Sequence, residues 1–446
     1  MKRGCLFVFL CVTVAATAAW AAEYHVSPTG PISSLKTIVN SLQPGDVVEV
    51  EPGTYNEVMR ILCNGTVEKP ITIRGVGETR PVFDATGLNV NGVMPNPRAV
   101  FQIEGANIIL ENIEFRNARN GDNGSGIRLL NSTNAVVRDC KISYCDMGMM
   151  GGDRNVALIE SCDIGFNGTP LYAGYSHNMY MGGDGGLVVR GSYIHDALYG
   201  LNFKTRGHYN ELWYNWIEGS EEGELSVVDG GSDTTGTNSN LVMVGNVVVS
   251  KSSRTGNSAK YINFGSDGTS GRRNGTAYVY NNTLIARSGS NDFFWITDTH
   301  NESNLVARNN LMTGSNDILV YLFGTYNNHE GDANWMPQYA NVPSNFTNSV
   351  LGADPGLVSL AGGDYRLAAG SPCIDQGTSL LAYVDGDGMA HTVNLDSCYL
   401  PGVGLAPRPS IGPVDIGAYE YVPEPATVLL LAAGAALAGG RRRRRS

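Results

Sequence analysis

Hydrophobic and polar residues alternate in short runs along most of the chain, which is the pattern of β-strands with one buried face. The stretch 200–206 is typical. If it is extended, its apolar residues share one face, and its polar residues, Asn202, Lys204 and Arg206, share the other. The alternation therefore predicts a strand whose buried face belongs to a core and whose polar face belongs to a site.

A second regularity connects these strands. A small or polar residue stands two positions before an aliphatic one at intervals of 22 to 36 residues. The residues that open these runs are Cys140, Cys162, Ser192, Asn215, Asn246, Asn282 and Asn310. Such intervals suit a coil of three short strands joined by turns of variable length, in which inward side chains are buried only by stacking coil on coil. The sequence therefore predicts an all-β fold, a right-handed parallel β-helix.

In such a solenoid, equivalent positions form columns. The four asparagines are expected to hydrogen-bond to one another in the interior. Cys140 and Cys162 precede them in the column, either as free thiols or as a disulfide, and we favour thiols. A propeller would repeat about every 40 to 45 residues, and an immunoglobulin-like sandwich would turn about every 8 to 12 residues without this column.

The two ends of the chain carry targeting signals. Residues 1–22 combine Lys2 and Arg3 with an apolar run and an Ala-rich end, which predicts a secretory signal peptide. Residues 422–446 contain Pro-Glu-Pro, an apolar stretch that is short for a bilayer span, and five consecutive arginines that would stay cytoplasmic. This tail resembles the PEP-CTERM sorting signal of Gram-negative bacteria.

The resemblance implies transient membrane insertion through the tail, processing by exosortase-type sorting machinery, and release into the cell envelope or the extracellular space. An ordinary C-terminal membrane anchor is the alternative. In both cases the folded part, expected to be one domain of residues 23–421, lies outside the cytoplasm.

The charge of the chain excludes a general affinity for nucleic acid. Lys plus Arg number 31 and Asp plus Glu 42, which gives a net charge of −11. Seven of the basic residues lie in the two ends, so the exported part is more acidic still. A polyanion such as nucleic acid would be repelled by this surface.

Both ends of the domain resemble pectate-lyase-like β-helix proteins. The stretches 44–55 and 70–75, with a short helix expected to begin near Leu35, are similar to the N-terminal cap and first coils of that superfamily. The stretches 364–377 and 415–420 are similar to a closing segment that recurs in its bacterial members. The resemblance implies a solenoid closed at both ends.

Residues 177–229 contain the groups that β-elimination of a uronic-acid polymer needs. Lys204 is predicted to be the base that removes the proton α to the carboxylate, which a neighbouring cation favours. Arg206 would be that cation and would also clamp the carboxylate. His195 or Tyr180 is predicted to protonate the leaving oxygen. The expected partner is therefore an acidic polysaccharide.

Other polar residues near these strands are assigned to the substrate or to a metal. The candidate substrate-binding residues are His177, Asn178, Tyr180, Asn202 and His208. Asp229 and Glu224, expected one coil later, are candidate ligands for Ca²⁺, which prefers oxygen ligands.

The segment 170–320 resembles a group of bacterial right-handed β-helix proteins whose matching strand reads close to Gly-His-Asn-Val-Lys-Ser-Arg. Leu201 and Thr205 stand here in place of the His and the Ser. The strand is also similar to the Lys strand of alginate lyase and chondroitinase B relatives, where the Lys is the base and an Arg on the next coil assists. No Arg stands at 225–231, so Arg206 would take both roles.

Two other functions remain open. A glycoside hydrolase needs paired carboxylates, and the adjacent Asp-Asp pair of the polygalacturonase pattern is missing. A non-catalytic glycan-binding or matrix protein of the cell surface would agree with the sorting tail. The distinguishing feature is whether Lys204 and Arg206 line a groove with His195 and Tyr180 or project from a flat sheet.

Overall fold

The computed structural model describes residues 21–183, 185–251, 260–267, 271–287, 292–297, 300–314, 318–323 and 329–423. Three long parallel sheets, which we call A, B and C, contain 13, 12 and 10 strands. Ten successive coils, from Val47 to Phe323, each contribute one strand to each sheet in the order A, B, C. The coil before them contributes to sheet A alone, and the two after them contribute to sheets A and B. The predicted all-β parallel β-helix with three strands per coil is confirmed. Most of the predicted signal peptide and the tail from residue 424 lie outside the described residues.

The strands of each sheet follow one another in chain order. Sheet A contains Glu23–Val26, Val47–Val50, Ile71–Gly75, Ile108–Glu111, Val136–Arg138, Val156–Glu160, Gly186–Arg190, Tyr209–Trp213, Leu241–Val244, Gly275–Tyr280, Ser303–Arg308, His329–Asp332 and Phe346–Thr347. Sheet B contains Thr54–Tyr55, Val82–Asp84, Glu114–Arg116, Lys141–Ser143, Asp163–Gly165, Tyr193–His195, Trp216–Glu218, Val247–Val249, Thr283–Ala286, Leu311–Gly314, Trp335–Pro337 and Val350–Gly352. Sheet C contains Met59–Ile61, Ala99–Ile103, Ser125–Ser132, Met147–Asp153, Met179–Gly182, Leu201–Thr205, Gly223–Val227, Lys260–Gly265, Asp292–Thr297 and Ile318–Phe323.

Short helical turns replace the helix expected near Leu35. Two successive 3₁₀ turns, Leu35–Thr37 and Val39–Ser41, bury Leu35 and Val39 over the first coil. Two more 3₁₀ turns lie in the loops at Pro170–Tyr172 and Gly231–Thr234.

The predicted asparagine column runs along the interior between sheets A and B. The Asn215 side-chain amide donates to Oδ1 of Asn246, and the same bond repeats through Asn282 and Asn310 to Asn334, at 2.9 to 3.0 Å. Each amide nitrogen also donates to a backbone carbonyl of the preceding coil. These side chains are fully buried, so their hydrogen bonds within the column replace those that water would make.

The cysteines of the described chain are free thiols. All six are buried, among them Cys140 and Cys162 in the column that continues the asparagines. Burial raises the pKa of Cys162 to about 12 and that of Cys145 to about 12. Since the thiolate is the reactive form, these groups are unreactive packing residues, as we expected.

The C-terminal segment folds back over two of the three sheets. It forms three antiparallel hairpins, Leu357–Ser359 with Asp364–Leu367, Tyr383–Val384 with Ala390–His391, and Ser397–Leu400 with Gly404–Pro407. Tyr365, Tyr399 and Tyr419 pack on Trp216 and Ile285 at the outer face of sheet B. A second cluster joins Tyr383 with Tyr209, Val242 and Tyr280 on sheet A. The predicted closing segment is thus a cover for sheets A and B.

The asparagine column predicts a large cost for removing one member. Asn246→Ala deprives Asn215 of its acceptor and removes a donor from Asn282. We expect a loss of about 2 to 4 kcal/mol in the free energy of unfolding, because buried polar groups lose their partners. Urea unfolding measures this loss. The matched control is Asn304→Ala, a half-buried amide with one long hydrogen bond, which should cost less than about 0.5 kcal/mol; equal losses would contradict the structural role of the column.

Candidate functional site

Lys204 lies on the outer face of sheet C, in the strand Leu201–Thr205. Its register partner in the preceding coil is Tyr180. The Nζ of Lys204 lies 5.8 Å from the centre of the Tyr180 ring and donates to Oδ2 of Asp267 at 2.9 Å. Only 11% of the Lys204 side chain is exposed. The fold therefore brings Lys204 and Tyr180 together on a surface that is largely shielded from water.

Arg206 follows the strand, and its guanidinium contacts three residues: Tyr180, Asp229 and Asp267. Its Nε donates to the Tyr180 hydroxyl at 3.0 Å, and its Nη1 donates to the backbone carbonyl of Asp229 at 2.5 Å. Its Nη2 donates to Oδ2 of Asp267, the same oxygen that accepts from Lys204. Both cations predicted from the alternation thus meet at one carboxylate oxygen.

Sequence reasoning missed Asp267. It follows the strand Lys260–Gly265, two coils after Lys204, so it is remote in sequence and close in space. Burial raises the pKa of Asp267, but the attraction of Lys204 and Arg206 and their hydrogen bonds outweigh burial, so the pKa lies below its usual range. Extending the repeat by two coils would have placed this residue at the same corner of the solenoid.

A buried arginine fixes the turns that carry these groups. Arg273 is fully buried and donates to the backbone carbonyls of Gly207 and Val228 at 2.7 and 3.0 Å. These carbonyls lie directly after Arg206 and directly before Asp229. Burial lowers the pKa of Arg273 to about 9. Arg273 therefore links the turns that follow two successive strands of sheet C.

Arg206 separates two open depressions on this side of the molecule. One, of about 390 Å³, extends toward Thr235 and Arg272. The other, of about 710 Å³, extends back along the coils to Leu129 and Met150. Together they form a groove that crosses successive coils. Arg206 borders both depressions, Asp267 borders the first and Tyr180 the second. Lys204 lines neither of them and reaches their edge through its bond to Asp267.

Two histidines assigned to the substrate have structural contacts instead. His177 is buried, and its Nδ1 accepts from the backbone N–H of Leu201 at 2.9 Å. Burial, and then the charge of Lys204, lowers the pKa of His177 to about 3, so the ring is neutral beneath Tyr180. His208 contacts the backbone carbonyls of Asp233 and Gly386, where it links the coil to the C-terminal segment.

Asn178, Asn202 and Glu224 form a second interior column at the corner between sheets B and C. Asn178 Nδ2 donates to Asn202 Oδ1, and Asn202 Nδ2 donates to Glu224 Oε2, both at 2.7 Å. All three side chains have no exposed surface. The expectation that Asn202 shares the outer face with Lys204 was therefore wrong, because Asn202 turns into the corner. Asn178, a candidate for binding the substrate, is buried with it. Glu224 is likewise directed into the interior and away from the groove.

His195 lies on sheet B, separate from the Lys204 strand on sheet C. Its ring nitrogens contact Asp196 at 2.8 Å and Asp163 at 3.0 Å. Burial lowers the pKa of His195, but the hydrogen bonds that the protonated ring donates to both carboxylates outweigh burial and raise the pKa to about 9. The prediction that His195 and Lys204 belong to one site is wrong, because the two residues lie on different faces of the solenoid.

Of the two candidate metal ligands, Asp229 lies at the groove and Glu224 does not. Asp229 Oδ1 accepts from the backbone N–H of Asp267 at 2.6 Å, and Arg206 Nη1 lies 3.7 Å from Asp229 Oδ2. Two cationic side chains thus already face the carboxylates of Asp229 and Asp267, which fits a resident Ca²⁺ poorly. Within the described chain, three clustered acidic or histidine ligands occur at Glu23, His25 and Glu49, far from this groove in sequence. Ca²⁺ stays a prediction.

Comparison with known proteins confirms the fold and the tail. Residues 83–248 match the family described as right handed beta helix region, and residues 422–445 match the PEP-CTERM protein-sorting motif. The structure is similar to that of pectate lyase Pel9A, with 14% identity, a TM-score of 0.55, and coverage of 91% of this chain and 97% of that one. It is also similar to a rhamnogalacturonan lyase, with 14% identity, a TM-score of 0.54, and coverage of 77% and 92%. At these identities the likeness shows the right-handed parallel β-helix fold alone.

No curated protein sequence matches the chain. The sorting motif indicates export from a Gram-negative bacterium. In the described ranges, no helix is both long and apolar enough to cross a membrane. The apolar stretch predicted to insert transiently lies outside those ranges.

The contacts of His195 predict a pH-dependent stability. The folded-state pKa of about 9 lies above the usual 6.5, so the stabilisation is fully present below about pH 6.5 and is lost as the pH rises through about 9. Since Asp163 and Asp196 are 41% and 44% exposed, we expect a contribution on the order of 1 to 2 kcal/mol.

His195→Gln should therefore lower the free energy of unfolding more at about pH 6 than at about pH 10. Urea unfolding at both values measures the difference. His25→Gln, at a histidine with 62% side-chain exposure, is the control and should show little difference. The same loss for His195→Gln at both pH values would rule out the ionic contribution.

Proposed function

We propose that this exported β-helix protein is a polysaccharide lyase that cleaves a uronic-acid polymer by β-elimination in the groove on sheet C. One observation carries the proposal: Lys204 Nζ and Arg206 Nη2 converge on a single carboxylate oxygen, that of Asp267. Two cations that already share one carboxylate at the edge of the groove have the recognition chemistry that a uronate needs. The lyase-like fold agrees with this function.

In the proposed complex the polymer's carboxylate displaces Asp267 from Arg206. Arg206 keeps its contacts with Tyr180 and the Asp229 carbonyl, so its guanidinium stays oriented while one edge becomes available. Lys204 loses its carboxylate partner in the same exchange. The positive charge of Arg206 then lies beside a lysine that has no carboxylate partner of its own, an arrangement that favours the neutral amine that a general base needs.

The reaction then follows from these positions. Lys204 Nζ takes the proton α to the carboxylate, and the electron pair of that C–H bond forms a carbon–carbon double bond. The bond from the β-carbon to the glycosidic oxygen breaks, and its electrons leave with the oxygen. Tyr180 is the proposed proton donor to that oxygen, because its hydroxyl lies beside Arg206 in the register position next to Lys204. Arg206 neutralises the charge that builds up on the carboxylate.

The proposal narrows the residues first suggested by the sequence. Lys204, Arg206 and Tyr180 remain as the catalytic group, and Asp267 is added as the carboxylate that the substrate displaces. Four other residues are assigned to the structural framework: Asn178, Asn202 and Glu224 because they are buried, and His195 because it lies on sheet B.

The proposed compartment is the cell envelope or the extracellular space, reached through exosortase-type machinery. A requirement for Ca²⁺ is tested by adding or chelating it in the assay.

A second candidate function is glycan binding without catalysis. The observation in its favour is the same ion pair, because Lys204 cannot act as a base while its Nζ donates to Asp267. If no polymer displaces Asp267, the groove would only bind sugars.

Lys204→Ala should abolish elimination, with a loss of at least about 100-fold in kcat, as expected for removal of a general base. The ultraviolet absorbance of the unsaturated product measures the rate on pectate, alginate and glycosaminoglycan, each with and without Ca²⁺. Lys141→Ala, at a lysine on sheet B, is the control and should keep full activity. Absence of product with every polymer, while binding persists, would favour the non-catalytic function.

Asp267→Asn should tighten polymer binding by about tenfold or less, because the substrate carboxylate no longer competes with an internal carboxylate for Arg206. Its affinity is measured by titration of a polymer that the wild type binds. Asp387→Asn, an exposed change of the same kind on a C-terminal hairpin, should leave affinity unchanged. Weaker binding by Asp267→Asn would show that Asp267 contributes to the site and does not compete with the substrate.

A further inference from the structure

Two aromatic side chains lie exposed at the corner that follows the sheet B strands. Tyr144 comes directly after Lys141–Ser143, and Phe166 comes directly after Asp163–Gly165 one coil later. Their rings stack with 5.7 Å between centroids and 10° between planes. Tyr144 is 48% exposed and Phe166 is 36% exposed. A parallel, half-exposed pair of rings is thus presented to solvent by two successive coils.

The backbone at these positions is unfavourable for aromatic residues. Both have a φ of 57°, in the left-handed region that bulky side chains avoid. The same corner position in neighbouring coils is occupied by Asn117, Asp196 and Gly219, the residue types that this conformation favours. The turn itself therefore does not require aromatic residues, and their presence calls for another physical cause.

The rings rest on a rigid support. The His195 ring meets Phe166 edge-on, with centroids 5.0 Å apart, and stacks on Tyr193 at 4.0 Å. His195 is in turn held by Asp163 and Asp196. A Cβ at Gly165 would lie 2.4 Å from the His195 ring, so the glycine lets the imidazole lie against the strand. These contacts fix the position of the Phe166 ring in the free protein.

We propose that Tyr144 and Phe166 form a second glycan-binding site, which takes a polysaccharide chain by stacking against the apolar faces of its pyranose rings. Aromatic rings suit this role because they offer a large rigid apolar face at low entropic cost. The ring centroids lie 5.7 Å apart, so one polysaccharide chain can contact both rings on the surfaces that they leave exposed.

The polar groups beside the two rings favour a sugar over an apolar protein surface as the ligand. The carboxylates of Asp163 and Asp196 are two-fifths exposed beside the rings and keep lone pairs that sugar hydroxyls can donate to. The site lies at the corner after sheet B, whereas Lys204 lies on the outer face of sheet C. It binds without chemistry, and it does not depend on the proposed lyase activity.

The test is the double variant Tyr144→Asn/Phe166→Asn, which installs the residue type that the corner prefers. Electrophoresis in gels that contain hydroxyethylcellulose, galactomannan or polygalacturonate measures affinity. The wild type should be retarded by at least one of these polymers, and the double variant should bind it roughly three- to tenfold more weakly. The midpoint of thermal unfolding of the double variant should equal or exceed that of the wild type. Tyr339→Asn, at another exposed tyrosine, is the control and should bind like the wild type.

Two further variants separate the alternatives. Phe166→Tyr keeps the ring and should keep the binding, so it serves if the double variant unfolds early. Lys204→Ala should keep this binding while it loses elimination, which distinguishes failure of this site from failure of the proposed lyase function. Lack of retardation of the wild type by all three polymers, or equal retardation of the wild type and the Asn variants, would overturn the proposal.

Discussion

The hydrogen-bonded column of asparagines is the constraint on which the rest of the solenoid depends. Asn215, Asn246, Asn282 and Asn310 each donate to the asparagine of the next coil, and the column ends at Asn334. All five amides also donate to a carbonyl of the preceding coil. A parallel β-helix turns sharply between sheets A and B, and those turns leave backbone groups without a strand partner. The buried amides satisfy these groups and repeat with the coil, so they fix the register in which every outward side chain is presented.

Once the register is fixed, the C-terminal segment determines which face remains available for function. Its tyrosines cover Trp216 and Ile285 on sheet B, and its hairpin at Tyr383 covers Tyr209 on sheet A. These clusters bury apolar outer surface that a single sheet could not leave in water. The groove beside Arg206 lies along sheet C, and the aromatic pair lies at the corner where sheet B ends. The two proposed sites thus lie on sheet C and at the corner after sheet B, where the C-terminal clusters leave the surface open.

The groove balances charge within a protein that is acidic overall. Lys204 and Arg206 share Asp267, Asp229 also faces Arg206, and the buried Arg273 donates to backbone carbonyls. In the proposed function, a carboxylate of the polymer would exchange with that of Asp267 at these paired cations. An acidic protein would in this way accept an acidic polymer at one location.

The fold class and the column of asparagines could be predicted from the amino-acid sequence, because they depend on local alternation and on a repeat that is visible along the chain. The sorting tail could also be predicted, since its order of segments is specific. The folded structure was needed to show that Asp267 joins Lys204, that Asn202 turns inward, and that His195 belongs to another sheet. These outcomes depend on the bend of each corner and on which coil supplies the counterion, and turns of variable length conceal both from a one-dimensional pattern.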